Sequence, residues 1–164
     1  MISNVVNNKQ AGLCEFDCTR LSPHFTIAEL CKTKVNLRNV PNEAQVENLK
    51  RLCSWLEQLR RRWNNLYGEG DDPIIINSGF RRPEVNKAVG GATSSNHLTG
   101  CAVDIRCIGI EQALRYAVIL LDISDMNRED IDELLLERSS RGGYWIHFAV
   151  RPSGNRRVVR LIQT

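Results

Sequence analysis

Apolar positions along the chain fall into two rhythms, one of helical spacing and one of strand alternation. The clearest helical stripe is Val46, Leu49, Leu52, Cys53, Leu56, Leu59 and Trp63, recurring at three- and four-residue steps. Pro41 and Asn42 open this helix, which is expected to run to about residue 66, and Gly68, Gly70 and Asp71-Asp72-Pro73 stop it. Upstream, LSPHFTIAELCK predicts a short helix with Thr26 as its cap and Glu29 three residues on, as in a capping box. Downstream, IIINSG reads as a β-branched strand buried on both faces, and PEVNKAV as a short helix begun by Pro83 and ended by Gly90-Gly91. CAVDIRC is the next strand, followed by a helix with Ala113, Leu114, Ala117, Leu120 and Leu121 on one side. DELLLE and YWIHFAV are two more strands, and PSGN turns into a last strand, VVRLI, expected to pair back on YWIHFAV.

This order predicts an α+β fold: a mostly antiparallel sheet with helices packed on one face. Residues 1–22 show no sustained periodicity and read as an N-terminal arm, with residues 23–164 forming a single domain. No internal repeat is visible.

Side chains alternate between faces along a strand, so each strand can be divided into two sets. In CAVDIRC, Cys101, Val103, Ile105 and Cys107 share one face and Asp104 lies on the other. In YWIHFAV, Ile146, Phe148 and Val150 oppose His147 and Trp145; in DELLLE, Leu134 and Leu136 oppose Glu137. Three strands thus pair an apolar side with a side bearing a potential ligand or base. His97 stands seven residues before Asp104 in a glycine-broken loop. His97, Asp104 and His147 form a candidate three-ligand set, which leaves a fourth tetrahedral position open as in catalytic zinc sites. Ligand type alone also accommodates iron or manganese. Cys101 is a competing soft ligand, but its parity turns it away from Asp104. Spacing by itself does not separate a metal site from a loop histidine and a strand-end aspartate. His24 is far from these residues in sequence and reads as a packing or hydrogen-bonding histidine.

Composition narrows the class. The chain has 164 residues, 42% of them hydrophobic, with a net charge of +3 and interspersed signs, which fits one globular domain and disfavours nucleic acid as a partner. The run Arg60-Arg61-Arg62 falls late in the long helix, where cations suit the dipole. No apolar run is long enough to span a membrane. MISNVVNNKQAG lacks the charged start and apolar core of a signal peptide, so synthesis and initial residence in a cytoplasm are expected. In that compartment the six cysteines, Cys14 and Cys18 among them, are expected to be free thiols.

Three segments, SGFRRPEVN, SNHLTGCAVD and WIH, resemble the motifs of the zinc D-Ala-D-Ala carboxypeptidase family. That family includes phage L-alanyl-D-glutamate endolysins, vancomycin-resistance D,D-dipeptidases and hedgehog-like folds. LSPHFTIAELCKT and LRRRW look like its phage and bacterial branch, so the resemblance covers most of the chain after about residue 20. It implies one catalytic Zn2+ held by His97, Asp104 and His147. Arg81 would bind a carboxylate or polarised carbonyl of the peptide, the competing role being a structural salt bridge. Ser95 would bind substrate or orient the ligand loop. Several relatives carry an acid three positions before the second histidine, where this chain has Tyr144. The branch with a D-Q-L-[IL]-x-E strand is matched instead by DELLLE, which makes Glu137 the expected acid/base ahead of Glu133 and Asp132.

The resemblance implies a monomeric peptidase acting on peptidoglycan stem peptides, either as a D,D-carboxypeptidase or as an L-Ala-D-Glu endopeptidase. A phage endolysin is the expected setting. The alternatives are a non-catalytic zinc-containing wall-binding or virion module of the same fold, and a thiol-based redox or metal-storage protein.

Overall fold

The computed structural model describes residues 19–163; most of the expected N-terminal arm, with Cys14 and Cys18, lies outside them. Helix α1, Ile27–Leu30, is a single turn whose cap Thr26 accepts a hydrogen bond from the Glu29 amide at 3.2 Å. Helix α2, Glu43–Leu66, starts with a reciprocal capping box between Asn42 and Gln45. Its stripe Leu49, Leu52, Cys53, Leu56 and Leu59 is wholly buried. Burial pushes the Cys53 thiol up to about 12, so this cysteine is a small core hydrophobe rather than a nucleophile.

The sheet has five strands: β1 Ile76–Ser78, β2 Ala102–Cys107, β3 Glu133–Arg138, β4 Tyr144–Ala149 and β5 Val158–Gln163. Their spatial order is β1-β2-β4-β3-β5, with every pair antiparallel except β3 and β5. Helix α3, Pro83–Ala88, lies in the connection between β1 and β2, and α4, Ile110–Asn127, crosses from β2 to β3. α2 and α4 contact each other, and α4 also contacts β2, β3 and β4. Trp55 of α2 meets Phe148 of β4 at 5.4 Å between ring centroids, and Trp63 meets Tyr116 of α4 edge-on at 4.9 Å. Val103, Ile105, Leu134, Leu136, Ile146 and Phe148 supply the strand side of this core. The architecture is the expected α+β one. Among the described residues, no helix is long and apolar enough to cross a membrane.

Two expectations are corrected. VVRLI does not return to β4 but runs parallel to β3, from Glu133 opposite Val158 to Arg138 opposite Gln163. The reason is that β4 sits between β2 and β3, so both of its hydrogen-bonding edges are taken. The strand IIINSG is not buried on both faces: β1 is an edge strand with Ile74 and Ile76 buried and Ile75 40% exposed.

Candidate metal centre

His97 is presented by a 3-10 turn, Asn96–Thr99, between α3 and β2. Ser95 caps the turn, its Oγ accepting from the His97 amide at 3.3 Å. Gly100 ends it at φ +73°, in the left-handed region, where a Cβ would stand 2.8 Å from the Gln45 carbonyl of α2. That backbone constraint accounts for the glycine three residues after the histidine. Gly79 answers a second constraint, since a Cβ there would lie 2.2 Å from the Leu30 carbonyl. The close approach lets Phe80 N–H donate to Leu30 O at 2.7 Å and aims Gly79 O at His97 Nδ1, 2.6 Å away.

Asp104 and His147 are directly opposite each other on β2 and β4. Asp104 Oδ1 lies 3.2 Å from His97 Nε2 and 3.0 Å from His147 Nδ1, and the two rings meet edge-on at 5.0 Å. Donor atoms of the three residues all fall within 4.8 Å of one another. Four ligands at zinc's usual bond lengths are separated by about 3.3 Å in a tetrahedron, so these spacings suit that ion.

The proton inventory points the same way. A carbonyl can only accept, so His97 Nδ1 must be its protonated nitrogen, and in neutral imidazole Nε2 then carries a lone pair. That lone pair faces the Asp104 carboxylate. His147 is likewise bracketed, by Asp104 at Nδ1 and by Glu133 Oε2 at Nε2, 3.3 Å away. Two acceptors facing each neutral ring require a cation at the shared point, either added protons or a metal. Without metal, burial opposes the charged ring, yet hydrogen bonds to Asp104 and Glu133 push His147 up to about 9. Burial likewise disfavours the Asp104 carboxylate, but hydrogen bonds from both histidines hold it well below the usual range. The residues therefore fit a divalent cation bound through His97 Nε2, Asp104 Oδ1 and His147 Nδ1.

The other expected site residues have definite places. Arg81 donates from Nε to Ser78 Oγ at 2.8 Å and from Nη2 to Asp104 Oδ2 at 2.6 Å, occupying the carboxylate oxygen turned away from the histidines. Ser95 also lines a cavity of about 480 Å³ with Thr93, Ser94, Thr99, Arg151 and Ser153. Cys101 is buried and is not part of the three-residue cluster. His24 pairs with Glu57 of α2 at 2.7 Å, a hydrogen-bonding role remote from the cluster in sequence.

Glu133 and Glu137 share the site face of β3 and are placed symmetrically about Leu135, the residue opposite His147. Strand parity cannot distinguish them; their partners do. Glu133 takes His147 Nε2, Asn96 Nδ2 at 2.9 Å and Arg156 Nη2 at 2.7 Å. Its hydrogen bond to His147 contributes most to holding this carboxyl down, at about 2. Glu137 lies opposite Trp145 and within electrostatic reach of His147, Asp104 and Arg81, and burial raises its carboxyl above the ordinary value. A raised carboxyl suits proton transfer near neutral pH.

Sequence reasoning treated Glu133 only as a rival to Glu137 and missed the group around it. Asn96 and Asp132 are buried and joined at 2.7 Å, and Arg156 donates to Asp132 from Nε and Nη2, both at 2.8 Å. Only the adjacency of Asn96 to His97 hinted at it.

Residues 23–128 match the Peptidase M15 family, and a 99-residue stretch is 34% identical to the zinc D-Ala-D-Ala carboxypeptidase of Streptomyces albus G. The chain therefore belongs to the Peptidase M15 family. The aligned stretch is 60% of this chain but 36% of that relative, so the chain spans little more than a third of the relative's length. The family match includes Arg81, Ser95, His97 and Asp104; His147, Glu133 and Glu137 lie beyond it.

Proposed function

We propose that this protein hydrolyses peptide bonds in the stem peptide of bacterial peptidoglycan, with His97, Asp104 and His147 as ligands of a single zinc ion. The observation that carries the proposal is the meeting of these three side chains beside Glu137, whose carboxyl burial raises, on the sheet face opposite α2 and α4. The similarity to a D-Ala-D-Ala carboxypeptidase supports a D-alanyl terminus as substrate. The motif resemblance to phage endolysins supports the L-Ala-D-Glu bond as the other choice and phage-driven lysis as the setting. In that setting the protein is made in the host cytoplasm, acts as a monomer, and reaches the wall after release.

A zinc ion held by His97, Asp104 and His147 would supply Lewis acidity for a carbonyl and for water at this site. Glu137 removes the proton from the attacking water and returns it to the leaving amine. Arg81 fixes Asp104 through Nη2 and offers its remaining Nη1 edge to the substrate carbonyl or a carboxylate, a role suited to a planar guanidinium. Ser95 holds the His97 turn and borders a hydroxyl-lined cavity able to take part of the peptide.

Incubation with purified muropeptides, followed by mass spectrometry with and without a chelator, tests the proposal. Chelator-sensitive loss of a terminal alanine identifies a carboxypeptidase, and a cut beside the lactyl-linked alanine identifies an endolysin-type endopeptidase. Intact muropeptides from several stem chemistries, with zinc bound, would replace the enzyme reading by the wall-binding or virion module.

A further inference from the structure

A half-buried carboxylate beside the metal ligands has no place in the proton-transfer scheme above. We propose that Glu133 is a positioning residue, whose carboxylate accepts the Nε2–H of His147 and thereby fixes Nδ1 as the nitrogen offered to the metal. The proposal rests on the reading that His97, Asp104 and His147 hold zinc.

Neutral imidazole can ligate through either nitrogen. A half-turn of the His147 ring about its bond to the chain would put carbons where Nδ1 and Nε2 now stand, so the acceptors that face the two nitrogens fix both ring orientation and tautomer. Its Nδ1 points to Asp104 Oδ1 at 3.0 Å and its Nε2 to Glu133 Oε2 at 3.3 Å. A carboxylate on the far nitrogen selects the tautomer and raises the basicity of the ligating one. His97 has the equivalent support from Gly79 O, so each ring is fixed from behind by one acceptor.

Besides its contact with His147, Glu133 is held from two separate segments. Asn96 of the 3-10 turn donates to its Oε2 at 2.9 Å, and Arg156, from the turn before β5, donates to its Oε1 at 2.7 Å. Arg156 is itself locked to Asp132, whose side chain is fully buried, and Arg151 Nε donates to Asn96 Oδ1 at 3.0 Å. Asn96 is the neighbour of His97, so one network orients the second ligand and anchors the turn that carries the first. With both oxygens engaged, Glu133 is poorly placed to exchange protons with water. Glu137, the same distance along the strand from Leu135 in the other direction, has Trp145 as its hydrogen-bond partner instead.

The test combines 15N-histidine NMR of the zinc-loaded wild type with zinc competition against a chromophoric chelator for Glu133→Gln and Glu133→Leu. The expected spectrum has His147 metal-bound at Nδ1 and protonated at Nε2. Glu133→Leu lowers zinc affinity about 10- to 100-fold, whereas Glu133→Gln keeps an acceptor and recovers most of it. Any turnover loss in Glu133→Gln tracks its zinc occupancy. Metal bound at Nε2, or unchanged affinity in a folded Glu133→Leu, overturns the inference. So does zinc-saturated Glu133→Gln that has lost turnover a hundredfold, which would make Glu133 the proton-transfer group. If Glu133→Leu does not fold, the wild-type spectrum decides. A wild type that binds no zinc overturns the underlying ligand assignment instead, and is recognised before any variant is made.

Discussion

The two faces of the sheet use the same strands for opposite purposes. On the face covered by α2 and α4, Val103, Ile105, Leu134, Ile146 and Phe148 are at most 1% exposed and belong to the apolar core. One residue along in each strand, Asp104, His147 and Glu133 point the other way, linked by charge-assisted hydrogen bonds, with Glu137 beside them within electrostatic reach of His147 and Asp104. The covered face is stabilised by burial, at roughly 25 cal/mol per Å² of apolar surface. The other face concentrates charge that a metal-free protein must neutralise internally, as the raised His147 and depressed Asp104 indicate. Rigidity comes from one side and chemistry from the other, and β4 carries both in consecutive residues.

The sharpest break in this comparison uses neighbours on β4. Phe148→Ala opens a cavity against Trp55 and is expected to cost about 3–5 kcal/mol in denaturant unfolding. His147→Ala abolishes zinc binding and turnover while changing metal-free stability by less than Phe148→Ala does. Equal stability losses at the two positions would erase the distinction between the faces. Next in size, Glu137→Gln retains stoichiometric zinc and lowers turnover on the order of a hundredfold or more; near-normal turnover moves the base elsewhere.

A smaller effect separates the faces by pH. Burial disfavours the Asp132 carboxylate, but hydrogen bonds from Arg156 and Asn96 hold it below its ordinary value. A carboxyl lowered on folding contributes stability that is present above its unfolded pKa of about 3.9 and lost as pH falls through the folded value. Asp132→Asn should therefore cost about 1–3 kcal/mol at pH 7, a gap that narrows as the medium is acidified. Phe148→Ala should show no such narrowing, and urea unfolding at several pH values checks both. Smallest of all, Ser95→Ala removes the cap of the 3-10 turn and is expected to cost about 1 kcal/mol, read from thermal melts.

Much of this division was legible in the sequence. Period-two alternation sorted Asp104, His147 and Glu137 onto one face and their neighbours onto the other, because parity needs only the strand itself. The long α2 stripe and the stops at Gly68 and Gly70 were equally local. Pairing was not: whether VVRLI joins β4 or β3 depends on which edge the rest of the sheet leaves free, and no residue within VVRLI encodes that. Nor could parity rank Glu133 against Glu137, which are symmetric about Leu135. Their difference comes from Asn96 and Arg156, brought in from the 3-10 turn and the turn before β5. Arg81 was expected to meet substrate; its hydrogen bond to Asp104 spans 23 residues of sequence and follows only from the folded chain.

The most direct test of the account is X-ray absorption at the zinc edge on the purified protein with its metal content measured. One zinc per chain, with nitrogen and oxygen ligands at about 2.0–2.1 Å and no sulfur shell, is the predicted result. A shell at about 2.3 Å would assign the metal to cysteine thiolates, and either that or a protein that takes up no zinc would contradict the His97, Asp104 and His147 centre.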